Sequence, residues 1–178
     1  MFELKTERLR ILPLNIDQVK LLKDNPAQLE ENLFLNESHK EKYDDIMEKE
    51  IGEVFETVIK KMGQNPFNYT WFTMWQIISK EENKIIGLCG FNGMPDMNGE
   101  VEIGYALKPN YQKKGYMPEV MQEFMRYAFM HAKVKVLRVQ TPADYISSQR
   151  TLIELGFKKD FEEEGIITWK LGNPNLKT

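Results

Sequence analysis

The sequence holds one cysteine and two histidines among its 178 residues. A lone thiol cannot close an internal disulfide, and His39 and His131 supply no ligand set with a recognisable spacing, so the sequence predicts a reduced interior and no metal centre. Cys89 lies in KIIGLCGF, which reads as a buried strand. Both histidines sit in lysine-rich helical surroundings and are expected on solvated faces, which leaves Cys89 without the base a nucleophile needs. There is also no apolar run long enough to cross a bilayer. The opening MFELKTERLRILPL is charged from its third residue and has no signal-peptide core. The expectation is a cytoplasmic protein that is neither secreted nor inserted in a membrane. A basic excess is missing as well: the formal net charge is −3, which argues against direct nucleic-acid binding.

What is present suits a folded chain. The hydrophobic fraction is 42%, enough for a full core, and residues 1–178 read as a single domain. Leu9 and Ile11 alternate with polar neighbours as a first strand, and Asn15 with Gln18 forms a capping-box start for a helix through Val19, Leu21 and Leu22. Apolar residues keep helical spacing from His39 to Met62, with Gly52 a point where this stretch would split in two. Tyr69 to Ile78 is aromatic and β-branched and predicts a strand. Strands over Ile85 to Phe91 and Glu100 to Leu107 follow, separated by the turn cluster NGMPDMNG. Val136 to Thr141 alternates as another strand. A short helix from about Ser147 to Leu155 stops at Gly156, an expected left-handed cap with Phe157 packing back. FKKDFEEEGIITWKL reads as a last hairpin turning near Gly165. The fold class is α+β, mixed and mostly antiparallel, with helices interleaved.

The most informative stretch is NYQKKGYMPEVMQEFMRYAF, residues 110–129. Val120, Met121, Phe124, Tyr127 and Ala128 form one apolar stripe of a helix, and Pro118 sits near its start, where the missing amide costs nothing. The amides of Gly115, Tyr116 and Met117 then point out of the positive end of the helix dipole, beside Lys113 and Lys114. Such a turn is an anion cradle.

TERLRILPL, VEIGYALKPNYQKKGYMPEV, VLRVQT and SSQRTLIELGF, in that order, resemble the GNAT superfamily of acyl-CoA-dependent N-acetyltransferases, in particular the branch similar to ribosomal-protein N-terminal acetyltransferases. The resemblance covers nearly the whole chain and implies a central twisted sheet flanked by helices, with strands splayed to admit the CoA arm. By it, Gln112, Lys113, Lys114, Gly115, Tyr116 and Met117 match the acetyl-CoA pyrophosphate loop, with Met117 standing where the family often has glycine or alanine. Ala106, Leu107 and Lys108 match the strand segment that bonds the pantetheine arm. Glu102 matches the carboxylate often proposed as general base, and it shares a strand face with Glu100, so each is expected to raise the other's pKa. The family's usual tyrosine acid is replaced by Leu152 and its asparagine by Tyr145. Ser148 matches a serine of the N-terminal acetyltransferase branch and, with Tyr145, is the candidate acid; a helix N-cap explains Ser148 equally well.

The reaction implied is direct attack of an amine on the thioester of acetyl-CoA, the co-substrate, without a metal. At pH 7 an α-amine of pKa near 7.8 is roughly one-sixth neutral, whereas a lysine-like amine is neutral in about one molecule in 2,500. An α-amine therefore needs less help. The acceptor is an amine, either a small molecule or a peptide N-terminus, and a homodimer is compatible with the sequence. The other reading is a catalytically silent acyl-CoA-binding regulatory module that kept the cradle but lost acid and base. Glu30, Glu31, Glu37, Asp44 and Asp45 read as a solvated helix face or as an attractor of cations, and Trp71 and Trp75 read as core.

Overall fold

A computed structural model describes residues 1–176. Eight strands form one sheet: β1 (Leu4–Lys5), β2 (Leu9–Pro13), β3 (Trp75–Ser79), β4 (Lys84–Phe91), β5 (Glu100–Leu107), β6 (Val136–Pro142), β7 (Lys158–Glu163) and β8 (Ile166–Gly172), in the order β1-β2-β3-β4-β5-β6-β8-β7. Every neighbouring pair is antiparallel except β5 with β6. That parallel pair is joined by the helix α4 (Tyr116–Phe129), because parallel neighbours need a crossover where antiparallel ones need only a turn.

The two sheet faces bury different helices. On one, Val120, Met121, Phe124 and Ala128 of α4 pack fully buried with Trp75, Ile77, Cys89 and Phe91. On the other, α1 (Ile16–Asp24), α2 (Pro26–Asn32) and α3 (Asp45–Gln64) cover Leu12, Ile78 and Ile85 through Val19, Leu29, Phe55 and Met62. Burial of Cys89 pushes its thiol far above the ordinary range, so it is a core residue and no nucleophile. The last helix, α5 (Ile146–Glu154), lies between β6 and β7.

Local signals explain most of these ends. Asn15 accepts from Gln18 N while Gln18 Oε1 accepts from Asn15 N, a complete capping box. Phe157 N donates to Leu152 O at 2.9 Å beyond Gly156, whose φ is +92°; this is the left-handed cap expected. The last hairpin turns at Glu164 and Gly165, both with positive φ.

Three expectations are corrected. Gly52 does not divide the long helix: α3 runs unbroken from Asp45, capped by Asp44, and begins well after His39, since one glycine costs only about 1 kcal/mol against the burial of a whole apolar face. The strand expected from Tyr69 starts only at Trp75, because Pro66–Trp71 winds into a 3₁₀ turn, which proline opens readily. The histidines are not on solvated faces. His131 packs against the rings of Trp71 and Tyr127, with centroids 4.8 and 5.1 Å away, and burial lowers its pKa. His39 Nδ1 lies 2.7 Å from Glu30 Oε2. The short β1 and α2 carry too little periodicity to be legible in advance.

Candidate active site

Strands β5 and β6 pair only from Glu100 to Glu102, against Val136 to Arg138. Beyond that they part, and a cleft of about 770 Å³ opens between them, floored by Gly90, Glu102 and Gly104 and walled by α3 and the start of α5. The backbone facing the gap is fixed by two hydrogen bonds at the ends of the β4–β5 ladder: Asn92 N donates to Glu102 O and Lys108 N to Ile86 O, each at 2.9 Å. In an antiparallel ladder alternate residues bond the same neighbour, so Glu102, Gly104, Ala106 and Lys108 turn their backbone groups to β4. Ile103, Tyr105 and Leu107 turn theirs to the gap.

This parity sorts the segment expected to hold the pantetheine arm. Leu107 presents its backbone to the gap, where its carbonyl accepts from Gln112 Nε2 at 3.0 Å. Ala106 and Lys108 do not. The Lys108 side chain is buried on the face that α3 covers, and its Nζ donates to Ser38 O at 2.8 Å. Tyr105, which the sequence reading passed over, holds the favourable parity instead.

The QKKGYM turn follows β5, and its Gln112 reaches the gap-facing carbonyl of Leu107. Lys113 and Gly115 both have positive φ, and Gly115 is the N-cap of α4, with no side chain capping the helix. The amides of Gly115, Tyr116 and Met117 are therefore free of intrahelical partners. Lys113 and Lys114 are exposed beside them. The turn is held from outside: Arg8 Nη1 donates to Lys114 O at 3.0 Å, and its guanidinium lies 4.4 Å from the centre of the Tyr116 ring. A Cβ on Gly115 would stand 3.4 Å from Arg8 Nη2. TERLR was legible as a motif, yet nothing local showed what its arginine touches.

At the closed end stands Glu102. Its Oε2 lies 2.9 Å from Arg138 Nη2, and its Oε1 accepts from Asn92 Nδ2 at 3.3 Å. Glu100 is matched separately by Lys170 at 2.8 Å. Each carboxylate thus has its own cation. Gly104 and Gly90 pair across β5 and β4 next to Glu102, and nothing lies within 4 Å of where a Cβ on Gly104 would be. The sheet is open to an approaching molecule there.

Opposite the gap, Ser148 Oγ lies 2.9 Å from the Tyr105 hydroxyl. Burial raises the pKa of Tyr105, and the bond to Ser148 opposes that only in part. The N-cap of α5 is Tyr145, not Ser148, so helix capping does not account for the serine. Tyr145 is 43% exposed at the rim, and both it and Ser148 line the cleft. The structure thus brings together Glu102, Ser148 and Tyr145 on one cleft, while Gln112 to Met117 are not among the residues that line it. Among the described residues no cluster of His, Cys, Asp and Glu is arranged to hold a metal ion, and no helix is long and apolar enough to cross a membrane.

Residues 21–158 match the acetyltransferase (GNAT) domain family. The chain is 30% identical over 157 residues to the uncharacterized N-acetyltransferase YjdG of Bacillus subtilis (strain 168), spanning 88% of this chain and 90% of that protein. It is 34% identical over 86 residues to the uncharacterized N-acetyltransferase p20 of Bacillus licheniformis, 48% of each. Among solved structures it is similar to RimL, a ribosomal L7/L12 alpha-N-protein acetyltransferase in complex with coenzyme A, at TM-score 0.66 and 15% identity, covering 96% of this chain and 98% of that one. It is likewise similar to the ribosomal-protein-S5-alanine acetyltransferase from Vibrio fischeri, at TM-score 0.68 and 15% identity over 100% of both chains. At that identity the structural likeness speaks for the fold. The family match and the long sequence relative agree with the parted strands and the uncapped glycine turn: this chain belongs to the GNAT acetyltransferase family and is an acetyl-CoA-dependent N-acetyltransferase.

Proposed function

We propose that the protein, acting as one unit over residues 1–178, transfers acetyl to the terminal amine of a peptide or protein. The observation that carries this is the cleft itself, which opens where β5 and β6 part, holds Glu102, Tyr145 and Ser148, and is open over Gly104. Its lining carries Asp44, Glu50, Glu102 and Asp144 against Lys61, a negative balance that attracts a cationic amine. The exposed apolar residues Ile46 and Val54 beside them offer a chain more surface than a small polyamine would use. RimL, similar in fold, is by its own description an alpha-N-protein acetyltransferase.

In this reading the amides of Gly115, Tyr116 and Met117, with Lys113 and Lys114, hold the pyrophosphate. Tyr105 and Leu107 bond the pantetheine arm as an added strand would, Gln112 giving up the Leu107 carbonyl. One of the gap-facing amides polarises the thioester carbonyl. Glu102 takes the proton from the attacking amine, directly or through water, as the C–N bond forms. The C–S bond then breaks, and the departing thiolate takes a proton from Ser148, which the Tyr105 hydroxyl resupplies; Tyr145 at the rim is the other acid within reach. The thiol's pKa of about 8.5 makes this a small task.

The test is the thermal midpoint with acetyl-CoA and with ATP, followed by thiol release on a panel of peptides and small amines. At 100 times Kd, binding adds about 2.7 kcal/mol, or roughly 5–10 °C for a chain of this size. Amine-dependent thiol release fastest with unblocked peptides supports the assignment. Release confined to small amines would overturn the acceptor, and binding without release on any amine would revive the silent-module reading.

A further inference from the structure

Glu102 and Arg138 are the last residues that β5 and β6 pair before the two strands part. Neighbours in register put their side chains on one face of a sheet, and these two meet, with Arg138 Nη2 at 2.9 Å from Glu102 Oε2. Glu102 lines the cleft and Arg138 does not. The guanidinium therefore holds the carboxylate without facing the reacting atoms.

The contact is exclusive on both sides. Lys170, the partner of Arg138 on β8, is taken by Glu100 at 2.8 Å and Asp160 at 3.3 Å. Among the described residues Arg138 is the one cation within ion-pair distance of Glu102, and Glu102 the one carboxylate that Arg138 reaches. Arg138 Nε is buried with no hydrogen-bond partner among the described residues. A buried N–H is ordinarily bonded, and the exceptions concentrate where function sets the geometry. Arg138 leaves Nε unpaired while Nη2 is aimed at Glu102.

The two oxygens of Glu102 differ as a result. Oε2 is anchored by a charged donor, whereas Oε1 meets only Asn92 Nδ2 at 3.3 Å, which is long for such a bond. An ionised carboxylate oxygen has room for a further donor. A general base must lie within hydrogen-bond reach of the proton it takes, and the attacking nitrogen becomes strongly acidic as its bond to carbon forms. Placement of the acceptor oxygen thus matters more than its basicity.

We propose that Arg138 is a positioning residue of the transfer reaction: it fixes Glu102 through Oε2, so that Oε1 is presented to the attacking amine or to the water that relays its proton. This rests on the reading of Glu102 as the base.

The test measures kcat and the acetyl-CoA Kd of Arg138→Met, Arg138→Lys, Glu102→Gln and the double variant Arg138→Met/Glu102→Gln, on the amine turned over fastest in the panel above. Misplacing the base is expected to lower kcat about tenfold in Arg138→Met, with Kd changed less than about twofold. Arg138→Lys is expected to keep most of kcat, since the contact uses a single nitrogen. Added to Glu102→Gln, Arg138→Met should cost little more, because the group it positions is already gone. Thermal midpoints establish that the variants fold, and Arg138→Gln replaces Arg138→Met if that one does not. An unchanged kcat in Arg138→Met overturns the proposal, and so does an equal loss in both backgrounds. A loss confined to a raised acetyl-CoA Kd does the same, since it would make the pair a clamp on the parting strands and nothing more. Full activity in Glu102→Gln overturns the base and this proposal together.

Discussion

Arg8 grips Glu119 twice: its backbone N–H donates to Oε1 at 2.9 Å and its Nε to Oε2 at 2.7 Å. Glu119 is in the first turn of α4, and Thr6 donates to the same carboxylate. The carboxylate thus ties the first strands to the helix that the glycine turn opens, and the remaining arm of Arg8 reaches Lys114 O. A partly buried carboxylate with several donors is worth more than an exposed ion pair. Arg8→Ala is therefore expected to weaken acetyl-CoA binding about tenfold, with kcat changed far less, because the brace orients the turn and touches no reacting atom. Isothermal titration with acetyl-CoA, beside steady-state kinetics, checks the split.

The same brace has a pH dependence. Burial acts to raise the Glu119 pKa, but the bonds from Thr6 and from the backbone and side chain of Arg8 outweigh it and hold the group below its usual range. A depressed carboxylate contributes stability that is present above its unfolded pKa and lost as pH falls through the folded one. The acid side of the stability curve is expected to flatten in Glu119→Gln, measured as thermal midpoint against pH below about 5.

Gly115 has φ +77° and would bring a Cβ to 3.4 Å from Arg8 Nη2. Alanine there is strained by about 1–2 kcal/mol and presses on the brace. Gly115→Ala is expected to raise the acetyl-CoA Kd roughly fivefold to thirtyfold, checked by titration, with the fold retained.

Glu102→Gln removes the proposed base while keeping shape and the contact with Asn92. General-base removal typically costs about 10²–10⁴ in rate. We expect kcat to fall by at least about 100-fold, with the acid limb of its pH profile lost. An unchanged rate and profile would take Glu102 out of the mechanism.

Ser148 and Tyr105 are expected to act as a unit. Ser148→Ala should lower kcat about tenfold to 100-fold, and Tyr105→Phe less, with the double variant close to Ser148→Ala alone. Groups acting in series are not additive. Additive losses in the double-mutant cycle would mean that the hydroxyls act separately.

The sequence alone determined the parts whose causes are local. The stripe of α4 followed from spacing of 3.6 residues, the capping box from Asn15 and Gln18, the cap at Gly156 from a residue free to take positive φ, and the helix entrance from Gly115 before Pro118. The ordered motifs then carried the family and the cleft residues Glu102, Ser148 and Tyr145. Only the tertiary structure decided which backbone groups of β5 face the gap, because strand parity depends on register with β4 and a one-residue slip reverses it. That is why Tyr105 and Leu107, and not Ala106 and Lys108, turn their backbone groups to the gap. Tyr105 meets Ser148 across 43 residues and Arg8 meets Glu119 across 111. Such contacts follow from chain folding and leave no periodic trace. The unpaired Nε of Arg138 was equally hidden, since an unpaired atom becomes visible only when everything around it has been packed.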